Sequence, residues 1–314
     1  MSGESELNVV RASEIRPRPE GETPWLIEDL WGAGAVGVIG GAPKSCKTWL
    51  ALDMAVAVAS GRPCLGRHAV PAPGPVIVYA AEDAPTSVRE RLEQLAQARG
   101  TAFAALDVGL IVEPCLRLDR PEHVARLRST LGHRRPRLLV LDPYVRLQSG
   151  DENSAMEVSA ILSTLRELSR AFVCAIALVH HARKGTGDEP GQALRGSSDF
   201  YAWADSLLSL RRAREGLVLA IEHRFAVSPP SIGLTLVTED GPVRLEPGAM
   251  PVTPAEPALA ERVVKLLSQG PRPLTQLRLL LGVRKQTLGD VVRELVAVGR
   301  VVRASDGRLA LAAR

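Results

Sequence analysis

Apolar residues fall along the chain in two rhythms. Residues 35–39, 76–81, 138–141 and 172–179 are unbroken apolar runs, rich in Val, Ile and Leu. Runs of this length predict strands buried on both faces, as in a parallel sheet. A further strand candidate spans 106–112. Between the runs, residues 49–55, 86–99, 121–131 and 155–170 place apolar side chains three and four apart, which predicts helices. Strand and helix in alternation give an α/β chain with a mostly parallel sheet. Beyond residue 205 the rhythm shortens. Strands are predicted at 206–210, 217–222 and 233–238, joined by tight turns such as Arg214-Glu215-Gly216, as antiparallel additions at one edge.

Polar and proline-rich stretches divide this pattern. Residues 1–24, rich in Pro, Glu and Arg, predict a flexible arm. Trp25-Leu26-Ile27 and Leu30-Trp31 then dock on a domain spanning 25–245, as packing residues in the first place, with stacking on a nucleotide base as the alternative. Residues 185–191, dense in glycine and polar side chains, predict a mobile loop. Residues 246–257 hold prolines 247, 251, 254 and 257 and predict a linker. In 258–314, helices are predicted at 258–267, 274–281 and 285–298. Arg300-Val301-Val302-Arg303 and Arg308-Leu309-Ala310-Leu311 follow as a hairpin about Ser305-Asp306-Gly307. Three helices and a β-hairpin describe a winged helix. Its third helix would present Arg284, Lys285, Gln286, Thr287 and Arg293 to a DNA groove. A module of this kind also serves contacts with protein.

Composition narrows the class. With 46% hydrophobic and 24% charged residues in 314, a packed core is feasible and wholesale disorder is excluded. Cys46, Cys64, Cys115 and Cys174 are scattered, which argues against a zinc site or a disulfide framework and fits a reducing cytoplasm. The first residues show no basic start before an apolar segment, so no secretory signal is expected. The longest apolar stretch, 171–179, is too short to cross a membrane. The net charge of +4 is uneven: residues 255–314 carry 11 Lys and Arg against 5 Asp and Glu, leaving 28 against 30 elsewhere. The basic excess lies in the tail, where an acidic partner such as nucleic acid would bind.

The chemistry gathers on Gly41-Ala42-Pro43-Lys44-Ser45-Cys46-Lys47-Thr48, between a predicted strand and the helix opened by Trp49. Strand, tight loop and helix N-terminus form the context of a phosphate-binding loop, in which backbone N–H groups face the anion. Lys47 would reach the β- and γ-phosphates, and Thr48 would sit on Mg²⁺. Cys46 stands where the G-x-x-x-x-G-K-[ST] pattern has its second glycine. A Cβ there crowds the loop and asks for an unusual backbone angle. The run 76–81 ends in Glu82-Asp83, at the carboxyl end of a strand, where open α/β sheets bind ligands. Glu82 is placed to orient or deprotonate water, and Asp83 to cap the next helix. Arg137-Leu138-Leu139-Val140-Leu141-Asp142 delivers a second carboxylate, Asp142, on the Mg²⁺ side. His180-His181 ends the next strand as a candidate γ-phosphate sensor, with a structural role or a metal site as alternatives. Arg224, just past a strand, is a candidate finger for a neighbouring subunit or a solvated surface arginine.

With these motifs the chain resembles the AAA-type ATPases of the RecA-like helicase branch, near the plasmid RepA hexameric helicases. The residues that carry the likeness are GAPKSCKT at 41–48, VIVYAAED at 76–83, LLVLDP at 138–143, ALVHHARK at 177–184 and RGSSD at 195–199. The resemblance implies a RecA-type sheet, ATP and Mg²⁺ as ligands, and self-association into a ring, with six subunits the expected number. It places the catalytic glutamate on Glu82, the magnesium aspartate on Asp142 and the sensing histidines on His180 and His181. The bridging arginine falls on Arg224, with Arg211 or Arg212 next. DNA contacts are implied for segment 184–194, flanked by Arg183, Lys184 and Arg195. The expected function is an ATP-hydrolysing DNA motor or remodelling ATPase. The alternative is a nucleotide-gated DNA-binding, regulatory or scaffold protein with slow or absent hydrolysis.

Overall fold

The computed structural model describes residues 9–312 apart from 18, 20–22, 151–153, 182–197, 214, 240, 252–258, 284 and 305. A small hairpin, β1 (Trp25–Ile27) and β2 (Trp31–Gly32), leads in. Trp31 is buried, its indole N–H donating to the Ala35 carbonyl, and Trp25 packs on His223 and Phe225. Both tryptophans are packing residues.

The main domain continues with β3 (Val36–Gly41), α1 (Lys47–Ser60), β4 (Val76–Ala80), α2 (Pro85–Ala98) and β5 (Val108–Leu110). Next come α3 (Pro121–Arg134), β6 (Leu138–Asp142), α4 (Ala155–Phe172), β7 (Ala175–His181) and α5 (Ser198–Trp203). It closes with β8 (Ser206–Arg212), β9 (Leu217–His223), β10 (Ile232–Val237) and β11 (Arg244–Gly248). Among the described residues, nine strands form one sheet in the order β11-β10-β9-β8-β3-β7-β6-β4-β5. From β8 to β5 the strands run parallel, and β9 to β11 continue antiparallel.

Side chains alternate across a strand, so each apolar run feeds two cores. Val76, Val78, Leu138 and Val140 pack under α1 and α2. Ile77, Tyr79, Leu139 and Leu141 pack under α3, α4 and α5. Helix α1 is buried from Leu50 to Val58, with the sheet on one side and α2 and β11 on others. This anchorage fixes the loop at its head.

Two expected boundaries move. The strand expected from 172 begins at Ala175, because Val173 takes a left-handed conformation that closes α4. The linker expected from 246 begins later, because Glu246, Pro247 and Gly248 pair with β10 as part of β11. An edge strand tolerates proline, whose missing N–H is not needed by a further neighbour.

The tail forms α6 (Leu259–Leu267), α7 (Leu274–Leu281), α8 (Lys285–Ala297) and the hairpin of β12 (Val301–Arg303) and β13 (Leu309–Leu311). Gly282, left-handed at φ 65°, ends α7. Val263, Leu277, Leu288, Val292 and Leu309 give this part a core of its own. Among the described residues no helix is long and apolar enough to cross a membrane.

Candidate active site

The site begins where β3 stops. A Cβ on Gly41 would lie 2.3 Å from the Leu210 carbonyl oxygen of β8, so only glycine lets the two strands run this close. The chain then turns through residues 42–46, with Lys44 and Cys46 left-handed at φ 63° and 64°. No side chain caps α1 at Cys46, which leaves the first N–H groups of the helix open to a ligand. The Ser45 hydroxyl is buried without a hydrogen-bond partner. Unspent donors at the positive end of a helix fit a phosphate group.

Lys47 is buried beside them. Its ammonium donates to the carbonyls of Gly41 at 3.0 Å and Ala42 at 2.8 Å. Burial lowers its pKa to about 8, against the opposing pull of Asp142. The Thr48 hydroxyl donates to Asp142 Oδ2 at 2.6 Å. Asp142, at the end of β6, is pushed up to about 6 by burial, opposed by that hydrogen bond. Hydroxyl and carboxylate, converging from different elements, form an oxygen donor pair. Mg²⁺ favours this kind of site when a substrate phosphate completes it. Among the described residues no cluster of three or more His, Cys, Asp or Glu forms a self-sufficient metal site.

A cleft of about 360 Å³ opens over the loop, bordered by Lys44 to Trp49, Glu82, Asp83, Arg91, Asp142, His181 and Leu236. It gathers much of the site expected from the sequence and divides the rest. Glu82 lies past the end of β4 and accepts a bond from Arg146 Nε at 2.8 Å. Asp83 is not the helix cap: Ala84 holds that position, Pro85 starts α2, and Asp83 binds Arg91 at 2.7 and 3.2 Å. The two histidines separate, as strand alternation requires. His181 borders the cleft. The His180 ring instead stacks on Phe200 at 4.3 Å, with the Tyr144 ring 5.8 Å away, so it packs between the sheet and α5.

Arg224 does not stand free. Ser206, opposite His223, lies beside Gly37 at the start of β3, while the loop follows Gly41 at its end. Arg224 therefore sits at the far end of the sheet from its own loop, bonded to the Ala202 carbonyl and 3.5 Å from Asp205. Arg212 is the arginine near the loop, donating to the Lys44 carbonyl at 2.8 Å. Arg183, Lys184, Arg195 and Arg284 lie outside the described residues. Lys285, Gln286, Thr287 and Arg293 are exposed on α8, Arg293 in an ion pair with Asp290.

Arg91, Arg146 and Leu236 are site neighbours that sequence reasoning missed, whereas Arg212 entered only as a second choice for the bridging arginine. Arg91 lies with its guanidinium 5.8 Å from the Trp49 ring centre. Trp49 itself borders the cleft.

Cys46 bears out the suspicion attached to its position. Left-handed backbone strains any residue with a Cβ, by about 1–2 kcal/mol. Burial also raises the thiol pKa, against the pull of Arg212 and Lys47, so the group remains a neutral thiol. Cys46→Gly is expected to change stability by less than about 1 kcal/mol, since relief of strain is offset by chain entropy and lost packing. Cys46→Val, with a branched Cβ, is expected to lose about 1–3 kcal/mol. Thermal melts of the two variants check the contrast, and equal melting points would contradict it.

A mostly parallel sheet, a loop at the carboxyl end of β3, and a threonine–aspartate pair beside a buried lysine give the chain a RecA-like fold with the layout of a P-loop nucleotide site. The chain belongs to the AAA domain family, whose model matches residues 3–187. Among solved structures, the ATPase domain of G40P is similar with a TM-score of 0.52 and 14% identity, covering 68% of this chain and 84% of that one. The RadB recombinase is similar with a TM-score of 0.49 and 17% identity, covering 68% of this chain and 90% of that one.

Proposed function

We propose that this ATPase is a ring-forming DNA motor or DNA-remodelling protein of the RepA-helicase type. The observation that carries the reading is the convergence of Lys47, the Thr48–Asp142 pair, Glu82 and His181 on one cleft. The β- and γ-phosphates of ATP would lie on the loop, with Lys47 turning from the Gly41 and Ala42 carbonyls to meet them. Thr48 and Asp142 would hold Mg²⁺, which supplies charge neutralisation between phosphate oxygens. Glu82 orients the attacking water and takes its proton. His181 donates to the γ-phosphate. Trp49, Arg91 and Leu236 offer aromatic, guanidinium and aliphatic surface to a base. Arg224, half exposed, remains the candidate bridge to a neighbouring subunit, at the loss of its contact with Asp205. The tail is read as a winged helix, with the exposed Lys285, Gln286 and Thr287 of α8 facing DNA.

Sedimentation of the 33.6 kDa chain with and without Mg·ATP tests the ring, and a monomer under both conditions contradicts it. Removing residues 255–314 is expected to lower DNA affinity, and the intact protein should bind less tightly as salt rises. Unchanged affinity after the deletion removes the tail as DNA reader.

The second reading, a nucleotide-gated protein with slow turnover, is favoured by the strained Cys46 and by Glu82 being engaged with Arg146.

The Asp142 carboxyl gives the site a pH dependence. Its pKa rises from 3.8 to about 6 in the folded, ligand-free protein. Its contribution to stability is thus full below about pH 4 and is lost as pH rises through about 6. Ligand binding runs the other way, because a cation needs the carboxylate. Mg²⁺-dependent nucleotide binding is expected to weaken about tenfold per pH unit below about 6. Titration of nucleotide at pH 7 and pH 5, with Mg²⁺ fixed, checks this; equal affinities would contradict it.

A further inference from the structure

The loop between β3 and α1 is held in a shape that its own residues disfavour. Lys44 and Cys46 are both left-handed, at φ 63° and 64°, and neither is glycine. Each carries a Cβ that this backbone crowds. Residues persist in such conformations where the surrounding structure over-determines them. The two ends of the loop are fixed, by Gly41 against the Leu210 carbonyl and by the buried helix α1. The turn between them is exposed from Ala42 to Lys44.

A contact from β8 reaches this turn. Leu210 lies opposite Gly41 and packs in the core under α1. Side chains alternate along a strand, so Arg212, two residues on, emerges on that same face past the edge of the core. Its Nε–H donates to the Lys44 carbonyl at 2.8 Å. Among the described residues, no other hydrogen bond joins the backbone of 43–46 to the sheet. Burial raises the Cys46 thiol pKa and the Arg212 charge opposes it, which sets the guanidinium beside the second left-handed residue as well.

We propose that Arg212 is a positioning residue for the nucleotide: it tethers the outer turn of its own loop to β8 and so offsets the strain of Cys46 at a glycine position. The inference rests on the reading of residues 41–48 as the phosphate-binding loop. A strained loop that relaxes presents its N–H groups to phosphate for only part of the time, and apparent affinity falls by that fraction. The tether keeps the loop in the competent shape. Arg212 is exposed, so its bond changes that population by a modest factor, about two- to tenfold. This role acts within one chain, unlike that of an arginine that bridges to a neighbour's nucleotide.

The test is titration of the full chain with a fluorescent ADP analogue and Mg²⁺, for the wild type, Arg212→Ala, Cys46→Gly and the double variant. Steady-state ATP hydrolysis is measured in parallel. Arg212→Ala is expected to weaken nucleotide binding and raise KM for ATP about two- to tenfold, with kcat within about twofold of wild type. In the Cys46→Gly background, where position 46 takes the left-handed turn without strain, the same change is expected to cost less than about twofold. A loss of fold would lower binding equally in both backgrounds, so the difference between them reads the tether. Equal losses in the two backgrounds overturn the compensation, and unchanged affinity in Arg212→Ala overturns the tether. A fall in kcat of about a thousandfold with nucleotide binding unchanged gives Arg212 to a neighbour's nucleotide and overturns the proposal. A wild type that binds no nucleotide defeats the reading of the loop, and the tether with it, before any variant is compared.

Discussion

Lys47→Ala is expected to lower kcat/KM for ATP by about 10²–10³-fold, the loss that follows removal of one preorganised donor to a developing charge. The reason is local. The Lys47 ammonium is buried and rests on two carbonyls of its own loop, 3.0 and 2.8 Å away. Among the described residues no other lysine borders the cleft except Lys44, which precedes the helix and sits in the outer turn. Truncation leaves the Gly41 and Ala42 carbonyls facing the phosphates with no cation between them. Nucleotide affinity should fall together with turnover, which a fluorescent ATP analogue and a hydrolysis assay would record side by side. Hydrolysis within a fewfold of wild type would remove the loop from the account.

Glu82→Gln should separate the two quantities instead. A positioned acid–base group contributes about 10²–10⁴-fold, and a glutamine keeps the shape without accepting the proton. ATP is expected to bind as before while kcat drops by that factor. The change also dissolves the ion pair with Arg146, worth little at this exposure, so a folding defect is not expected. Turnover near wild type would move the role to Asp83, the other carboxylate on the cleft.

Much of the fold was legible because buried parallel strands show as continuous apolar runs, and β3, β4, β6 and β7 all do. The edge strand β11 was not: Pro247 and Gly248 look like linker residues, and only Leu245 marks the buried face. The unusual backbone at Cys46 was foreseeable, since a glycine position with φ 64° betrays itself when another residue occupies it. The separation of His180 from His181 follows from strand alternation, yet which ring faced the cleft depended on Phe200, a residue of another helix. The arginines were hidden for a related reason. Arg146 reaches Glu82 across 64 positions and Arg212 reaches Lys44 across 168, with no periodicity to announce either pair. Arg224 followed a strand as expected, but the antiparallel direction of β9 carries it to the end of the sheet away from the loop.

The most direct test of a DNA-coupled ATPase is steady-state ATP hydrolysis by the wild type across a range of single-stranded DNA concentrations, with Lys47→Ala measured in parallel. The account predicts Mg²⁺-dependent turnover that rises to a plateau with DNA and vanishes in the variant. Bound ATP without turnover at any DNA concentration would contradict the motor and leave a nucleotide-gated binding protein.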